Sequence, residues 1–377
     1  MLDGTGARFS KARSNPRRRA GEGRDRGGRC VTEKTEAFAL TSSRSFAGWL
    51  KARNASLVFT TYQAGKVFFI GVNDQGSLSV FERTMERPMA LAADGDDLYL
   101  STLYQLWRFQ AIAAAGDYGG HDRLYAPRQS FVTGDIDIHD IKIDAKGPLF
   151  VNTLFSCLAR PSARASFDPV WRPPFISRLA AEDRCHLNGL AMKDGLPAYV
   201  SAVGRSDVAD GWRDHRLSGG IVIDAASGEI VAHGLSMPHA PRLHDGALYL
   251  LNAGSGEFGA LDSKTGRFEP ITFCPGFLRG LDFIDGYAIT TMSLPRGDRS
   301  FEGLAIERTL EKTGAAPRCG LAVIDLKTGD LAHWLRIEGV IQELFDVAVL
   351  KGATRPAAIG FRSDEIRRVI AVGDETR

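Results

Sequence analysis

Short apolar runs broken by Asp, Asn or Gly recur along most of the chain. Six of them share one phrase: an apolar strand entry, a turn, and a second apolar strand. The copies read Met-Ala-Leu-Ala-Ala-Asp-Gly from Met89, His-Asp-Ile-Lys-Ile-Asp-Ala from His139, Asn-Gly-Leu-Ala-Met-Lys-Asp-Gly from Asn188, His-Ala-Pro-Arg-Leu-His-Asp-Gly from His239, Arg-Gly-Leu-Asp-Phe-Ile-Asp-Gly from Arg279 and Asp-Val-Ala-Val-Leu-Lys-Gly from Asp346. With the first core apolar residue of each copy as anchor (Leu91, Ile141, Leu190, Pro241, Leu281, Val347), the steps are 50, 49, 51, 40 and 66 residues. A period of about 40 to 50 residues built from strands predicts propeller blades, because a lone sheet of four short strands cannot bury both faces and a ring of such sheets can. The expected fold is all-β, a single six-bladed β-propeller.

Further runs support strands: Leu57–Tyr62, Lys66–Ile70, Leu98–Thr102, Ala247–Asn252 and Leu321–Asp325 are rich in β-branched and aromatic residues. Asp94-Gly95, Asp194-Gly195, Asp245-Gly246 and Asp285-Gly286 suit tight hairpins that need positive φ. Residues 56 to 84 are strand-rich but have no anchor of their own. They are expected to complete the blade opened by the last anchor, so that pairing of N- and C-terminal strands closes the ring. Helix is expected at Ser43 to Ala52 and at Phe301 to Lys312. The resulting division is a disordered Arg-rich extension over 1–35, a short helical lead-in over 36–55 and the propeller over 56–370.

Charge refines this picture at one end. The formal net charge is +2, yet residues 1 to 30 hold nine Arg or Lys against three Asp or Glu, which leaves 38 basic and 42 acidic side chains, a net of −4, for residues 31 to 377. The folded part is therefore not expected to bind nucleic acid. The first 30 residues have too few apolar side chains to fold; a basic arm is one reading, and an upstream extension of the reading frame, with Val31 as an alternative start, is the preferred one. Nothing resembles a membrane span or a secretory leader, which makes a cytoplasmic location the expectation. Cys30, Cys157, Cys185, Cys274 and Cys319 are widely separated and form no Cys-x-x-Cys, so neither a disulfide framework nor a sulfur-ligated zinc site is indicated.

In a propeller the first strand of each blade lines the central channel, so residues just before the anchors gather at one mouth. Two positions before the anchors stand Met89, His139, Asn188, His239, Arg279 and Phe345; one position before stand Ala90, Asp140, Gly189, Ala240, Gly280 and Asp346. Because neighbouring strand residues alternate in direction, one register is expected to face the axis in each blade, with His139 against Asp140 left open and Asp346 favoured over Phe345. The set His139 or Asp140, Asn188, His239, Arg279 and Asp346 is too polar for packing alone. Three readings follow: a divalent metal of unidentified kind held by His139, Asp140, Asn188, His239 and Asp346; a metal-free site for an anion clamped by Arg279; or polar groups that satisfy one another along the axis.

His186-Leu-Asn-Gly-Leu-Ala-Met192 resembles the strand entry of the gluconolactonase and regucalcin family of six-bladed propellers, and Asp346-Val-Ala-Val resembles that family's aspartate entry. The resemblance implies Asn188 as a ligand of a catalytic divalent metal, while Met89 or Ala90 stands where that family has an acidic ligand. Over about Ser56 to Phe361 the chain is similar to an uncharacterised bacterial family, a domain of unknown function expected to form propellers. The matching stretches include Thr60-Thr-Tyr-Gln-Ala-Gly-Lys66, Tyr104-Gln-Leu-Trp-Arg-Phe109, Arg205-Ser-Asp-Val-Ala-Asp-Gly-Trp212 and Cys274-Pro-Gly-Phe-Leu-Arg-Gly280. That resemblance implies the fold and no particular activity.

Two long loops, 157–185 and 293–318, are expected to carry function, with Trp171 and Phe175 capping the channel mouth. Asp207, Asp210, Trp212 and Arg213, which follow Arg205 in a Gly-flanked loop, form with it either a ligand contact or a salt-bridged corner. No Gly-x-Ser-x-Gly elbow and no phosphate-binding Gly loop is present. Two functions of different class follow: a channel-mouth site that binds or acts on a small polar or anionic molecule, or a binding propeller that recognises a protein or glycan partner.

Overall fold

The computed structural model describes residues 38–112, 118–295, 302–361 and 364–370. The proposed extension over 1–35 lies outside the described residues.

Six antiparallel sheets of four blade strands each stand around one axis. Their innermost strands are Leu91–Asp94, Ile138–Asp144, Leu187–Lys193, Pro238–His244, Phe277–Ile284 and Val347–Lys351. We number the blades one to six in that order. Each inner strand packs on the next, and the sixth packs on the first, so the ring is closed. Every anchor lies on one of these strands, as the period required.

The sixth blade takes its inner strand from the C-terminal part of the chain and its other three, Ala55–Thr60, Lys66–Val72 and Leu78–Thr84, from the N-terminal part. Phe59 pairs with Val347 and Ala55 with Lys351. This is the closure expected from the missing anchor. Two further strands seal the edges: Phe38–Ser42 runs along Leu331–Gly339 at the rim of blade five, and Pro356–Ala358 lies parallel to Arg123–Val132 on blade one. The lead-in is thus a strand followed by a helix, Phe46–Ala52. Phe46, Trp49 and Leu50 of that helix are buried against Leu57, Phe68, Ile289 and Leu335 between blades five and six. Each side chain of this size contributes about 1.5–3 kcal/mol on burial.

The hairpins follow the turn chemistry. Both residues of Asp194-Gly195, Asp245-Gly246 and Asp285-Gly286 have positive φ, as a two-residue loop with the sheet's own twist demands.

Hydroxyl groups on the second strands tie neighbouring blades together. The Ser101 Oγ accepts the Ala90 N–H and donates to the Ile138 carbonyl, and the Thr291 Oγ1 accepts from Gly280 and donates to the Phe345 carbonyl. Thr60 and Thr153 likewise donate to the carbonyls of Met89 and Leu187 in the following blade.

The loop expected over 157–185 is interrupted by two short strands. Cys157–Arg160 and Asp168–Trp171 are the outer two strands of blade two. Long connections also follow the second strands of blades three and five, the latter where the second long loop was expected, on the side where the inner strands begin. The first carries Gly211–His215 and the second the helix Ala305–Thr313. That helix packs Leu304, Ile306 and Leu310 against Phe258 and Phe277.

Candidate functional site

The inner strands do not keep simple alternation where they begin. In blade two Ile138 pairs with Asn152 and Ile141 with Phe150, so His139 and Asp140 together stand opposite Val151. In blade five Arg279 and Gly280 stand opposite Thr291 in the same way. Blades three and four shift register at the equivalent place. Such bulges re-aim side chains next to sites. They correct the expectation that one register alone serves the channel: His139 and Asp140 both serve it, at different depths.

The upper layer lies at the entry mouth. His139 and His186 have ring centroids 4.9 Å apart, and His139 meets the Phe345 ring at 5.2 Å. The Arg279 guanidinium lies 5.5 Å from the centre of Phe345 and 5.0 Å from that of Phe277, on which His239 abuts edge-on at 5.5 Å. Glu343 approaches Arg279 to 3.6 Å. Five blades therefore contribute to one polar and aromatic surface.

The histidines of this layer are fixed through Nδ1. His139 Nδ1 is 3.0 Å from the Asp137 carbonyl and 2.8 Å from Thr153 Oγ1; His239 Nδ1 is 2.8 Å from the Met237 carbonyl. His186 Nδ1 meets the Asp183 carboxylate at 2.8 Å, and its ring stacks on Trp212 at 4.3 Å. Nδ1 donating to a carbonyl leaves Nε2 of His139 and His239 as an acceptor.

Burial lowers the pKa of His139 to about 4, with neighbouring His186 adding to the effect against Asp137. Burial and then Arg279 hold His239 well below the usual imidazole range. Burial also opposes charge on His186, but Asp183 outweighs it and the pKa is raised.

Asn188 occupies the same strand position in blade three and is 2 % exposed. Its Oδ1 accepts from Ser201 at 2.7 Å, while its Nδ2 is buried with no hydrogen-bond partner. Leaving such a donor unmet costs about 1–3 kcal/mol.

The deeper layer is an ion cluster. Arg242 clamps Asp140 with its two terminal nitrogens at 2.7 and 3.1 Å, and Lys142 Nζ reaches the same carboxylate at 3.1 Å. The carboxylates also stitch blades: Asp140 accepts from Leu190 N–H, Asp346 from Leu91 N–H and Asp282 from Val349 N–H. Arg242 donates to the carbonyls of Leu190 and Leu281 on either side. Burial would raise Asp140, yet Arg242 and Lys142 bring it below the ordinary value. For Asp346, burial and then Asp140 prevail, and its pKa is pushed up to about 6. Below this layer a cavity of about 220 Å³ opens at the exit end, lined by Asp94, Lys142, Arg242 and Asp282 among small apolar residues.

The five residues expected to hold a metal are therefore divided. His139 and His239 stand at the mouth, Asn188 gives its oxygen to Ser201, and Asp140 and Asp346 are engaged in the deeper layer. Among the described residues no group of three or more His, Cys, Asp or Glu is placed to hold a metal ion. This arrangement does not fit a resident divalent ion.

Three other expected contacts lie elsewhere. Trp171 is on the outermost strand of blade two, packed beside Phe175 against the core between blades two and three, and does not cap the mouth. Asp207 binds Arg184 at 2.5 Å and the Ser177 N–H at 3.0 Å, a corner that clips the connection into blade three. Arg205 lies 6.0 Å from the Phe175 ring.

Sequence reasoning did not assign Asp183 or His186 to the mouth, which they reach from connections that carry no repeat signal, and it named Trp212 only as one of several candidate ligand contacts in the loop after Arg205. It also missed Lys142 and Arg242. Those two were legible: one position after the anchors the ring reads Ala92, Lys142, Ala191, Arg242, Asp282 and Ala348, and charges among alanines on the axial face mark a buried ion cluster.

Ring closure, bulged inner-strand entries in four blades and a two-layered polar axis define the class: a six-bladed β-propeller. The chain belongs to the family described as Domain of unknown function (DUF4915), whose model matches residues 44–359. No curated protein matches it. Among solved structures it is similar to a chain of a nidogen/laminin complex, at 12% identity and TM-score 0.47, covering 79% of this chain and 99% of that one. It is also similar to a protein of unknown function from Bacteroides caccae, at 11% identity and TM-score 0.47, covering 79% and 99%. A candidate 6-phosphogluconolactonase from Bacteroides fragilis matches at 11% identity and TM-score 0.44, covering 78% and 98%. No helix among the described residues is long and apolar enough to cross a membrane.

Proposed function

We propose that the protein binds a small polar, anionic molecule at the entry mouth of its channel, with Arg279 as the charge partner and His139, Asn188 and His239 as orienting groups. The observation that carries this reading is the buried Nδ2 of Asn188, a donor without a partner. It stands at the strand position that in the flanking blades holds His139 and His239. A side chain kept purely for packing would not leave that donor unmet.

Arg279 supports an anion because its guanidinium lies against two aromatic faces and is shielded from water, where charge-assisted hydrogen bonds are strongest. The reading requires no metal. Residues 31–377 carry a net charge of −4, which speaks against nucleic acid as the partner, and a cytoplasmic location is part of the proposal.

Calorimetric titration of the full chain with a panel of small carboxylates and phosphates, repeated on Arg279→Gln and Asn188→Leu, tests it. Binding that both substitutions weaken at least tenfold is expected. Binding indifferent to both, or no binding by any anion, overturns it. Metal analysis of the purified protein is the companion measurement, and a stoichiometric divalent ion lost on His239→Ala would replace this reading with the metal one.

A further inference from the structure

Resting on the reading that the entry mouth is a ligand site, we propose that its ligand is an acidic monosaccharide, bound with its carboxylate on Arg279 and its ring hydroxyls against His139, His186 and His239. The argument is an inventory of donors and acceptors. His139 and His239 each spend Nδ1–H on a backbone carbonyl two residues earlier, so each offers a lone pair at Nε2 and calls for a donor on the ligand. A simple carboxylate has none to give, and a hydrogen phosphate has one or two at most. A polyhydroxylated anion supplies hydroxyls for the imidazoles and an anionic oxygen for Arg279. The rings of Phe277 and Phe345 lie against Arg279, and Trp212 stacks on His186, so apolar ring faces stand beside the polar groups, the pairing that a sugar's C–H faces and hydroxyls would meet.

His186 differs from its two neighbours. Asp183 holds its Nδ1 at 2.8 Å and Trp212 stacks on its ring, so the ring turns Nε2–H outward as a donor when protonated. The titratable and charged groups that act on it are Asp183, Asp137 and Arg213, with His139 and His239 beside it. His139, with its pKa at about 4, is neutral above about pH 5, and burial and then Arg279 likewise disfavour charge on His239. For His186, Asp183 outweighs burial and favours the protonated form.

The backbone is bent to make this arrangement. Arg87, Asp137, Asp183, His186 and Met237, all in the segments that lead into inner strands, have φ of 45°, 58°, 39°, 51° and 46°. Non-glycine residues reach this region at a backbone cost, and clusters of them accompany sites where side-chain placement outweighs backbone comfort.

The experiment titrates D-glucuronate, D-glucose and acetate into the full chain, and follows histidine Cε1–H resonances in the same samples. The sugar acid is expected to bind at least tenfold more tightly than either D-glucose or acetate, and to move three histidine signals. His139→Gln and His239→Gln are expected to lose at least tenfold. Thermal melts check that each variant is folded, and the resonance shifts need no variant at all. If acetate or another simple anion binds as well as D-glucuronate, and Arg279→Gln removes that binding, the anion site stands and the sugar-acid inference falls. If D-glucuronate binds without moving a histidine signal, the inference falls as well. If no anion binds, both fall together.

Discussion

Asp346→Asn isolates the electrostatics of the channel axis. Two buried carboxylates, Asp140 and Asp346, share Lys142 and Arg242, with the half-buried Asp282 beside Arg242, and both cations lie closest to Asp140. Asp346 keeps the Leu91 and Val347 N–H groups but is buried and crowded by the charge on Asp140, and its pKa is pushed up to about 6 from the ordinary 3.8. A carboxyl raised in the folded state holds a proton that the unfolded chain releases. Its effect on stability is therefore most favourable below about pH 4 and is lost as pH rises through about 6. A shift of about two units, at about 1.36 kcal/mol per unit, makes this loss about 3 kcal/mol. Asparagine cannot ionise, so it escapes the penalty, although it satisfies one N–H less well. That fixed cost cancels when one compares pH values. Urea unfolding of both proteins at pH 4.0 and 7.5 is the assay, with the stability of the variant relative to wild type expected to rise by about 3 kcal/mol across the interval. A difference that is constant with pH, or that moves the other way, refutes the reasoning.

Arg242→Ala is expected to cost about 3–5 kcal/mol, because it leaves the buried Asp140 with Lys142 as its one remaining cation and two inter-blade carbonyls unmet; a loss under 1 kcal/mol in the same assay counts against the ion cluster. At Gly280 a Cβ would come within 2.6 Å of the Asp346 Cα, so Gly280→Ala should lower stability by about 1–3 kcal/mol through overpacking, and an unchanged melting temperature would contradict the close approach of blades five and six. Burial pushes the thiols of Cys157, Cys185, Cys274 and Cys319 up to about 12, so these four should stay unmodified by a thiol reagent at pH 8 until urea is added, with peptide mass spectrometry identifying any that react sooner. A chain ended after Asp346 lacks the inner strand of blade six and should lose its cooperative unfolding transition; retention of that transition would show that ring closure through Phe59 and Val347 is dispensable.

The candidate site was legible in part. Anchors separated by one blade length led directly to His139, Asn188, His239 and Arg279, because equivalent positions in a ring share one mouth. Depth was not legible. Whether His139 or Asp140 faces the axis depends on a bulge opposite Val151, and no residue in that stretch announces an extra residue in the ladder. His186 was quoted only as part of a family phrase, since the partner that gives it a role, Asp183, lies in a connection with no period. Trp171 misled for the opposite reason. Aromatic and proline residues near 171–175 read as a loop, yet Pro169 and Trp171 sit on an edge strand, where proline is tolerated because one side needs no ladder hydrogen bond.

What the sequence by itself determined was the architecture. A repeated strand phrase needs equivalent surroundings for every copy, turn chemistry sets the hairpins, and a set of strands without an anchor must be completed by the other end of the chain. These are local or periodic properties, carried by residue type and spacing. Only the tertiary structure decided which polar residues belong together. Asp140 with Arg242, and His139 with His186, are pairs separated by 102 and 47 positions, and each was brought within reach by bulges and connections whose geometry arises from packing six sheets on one axis. Charge pairing at the axis depends on distances of a few ångströms. Spacing along a chain does not encode such distances until the ring has closed.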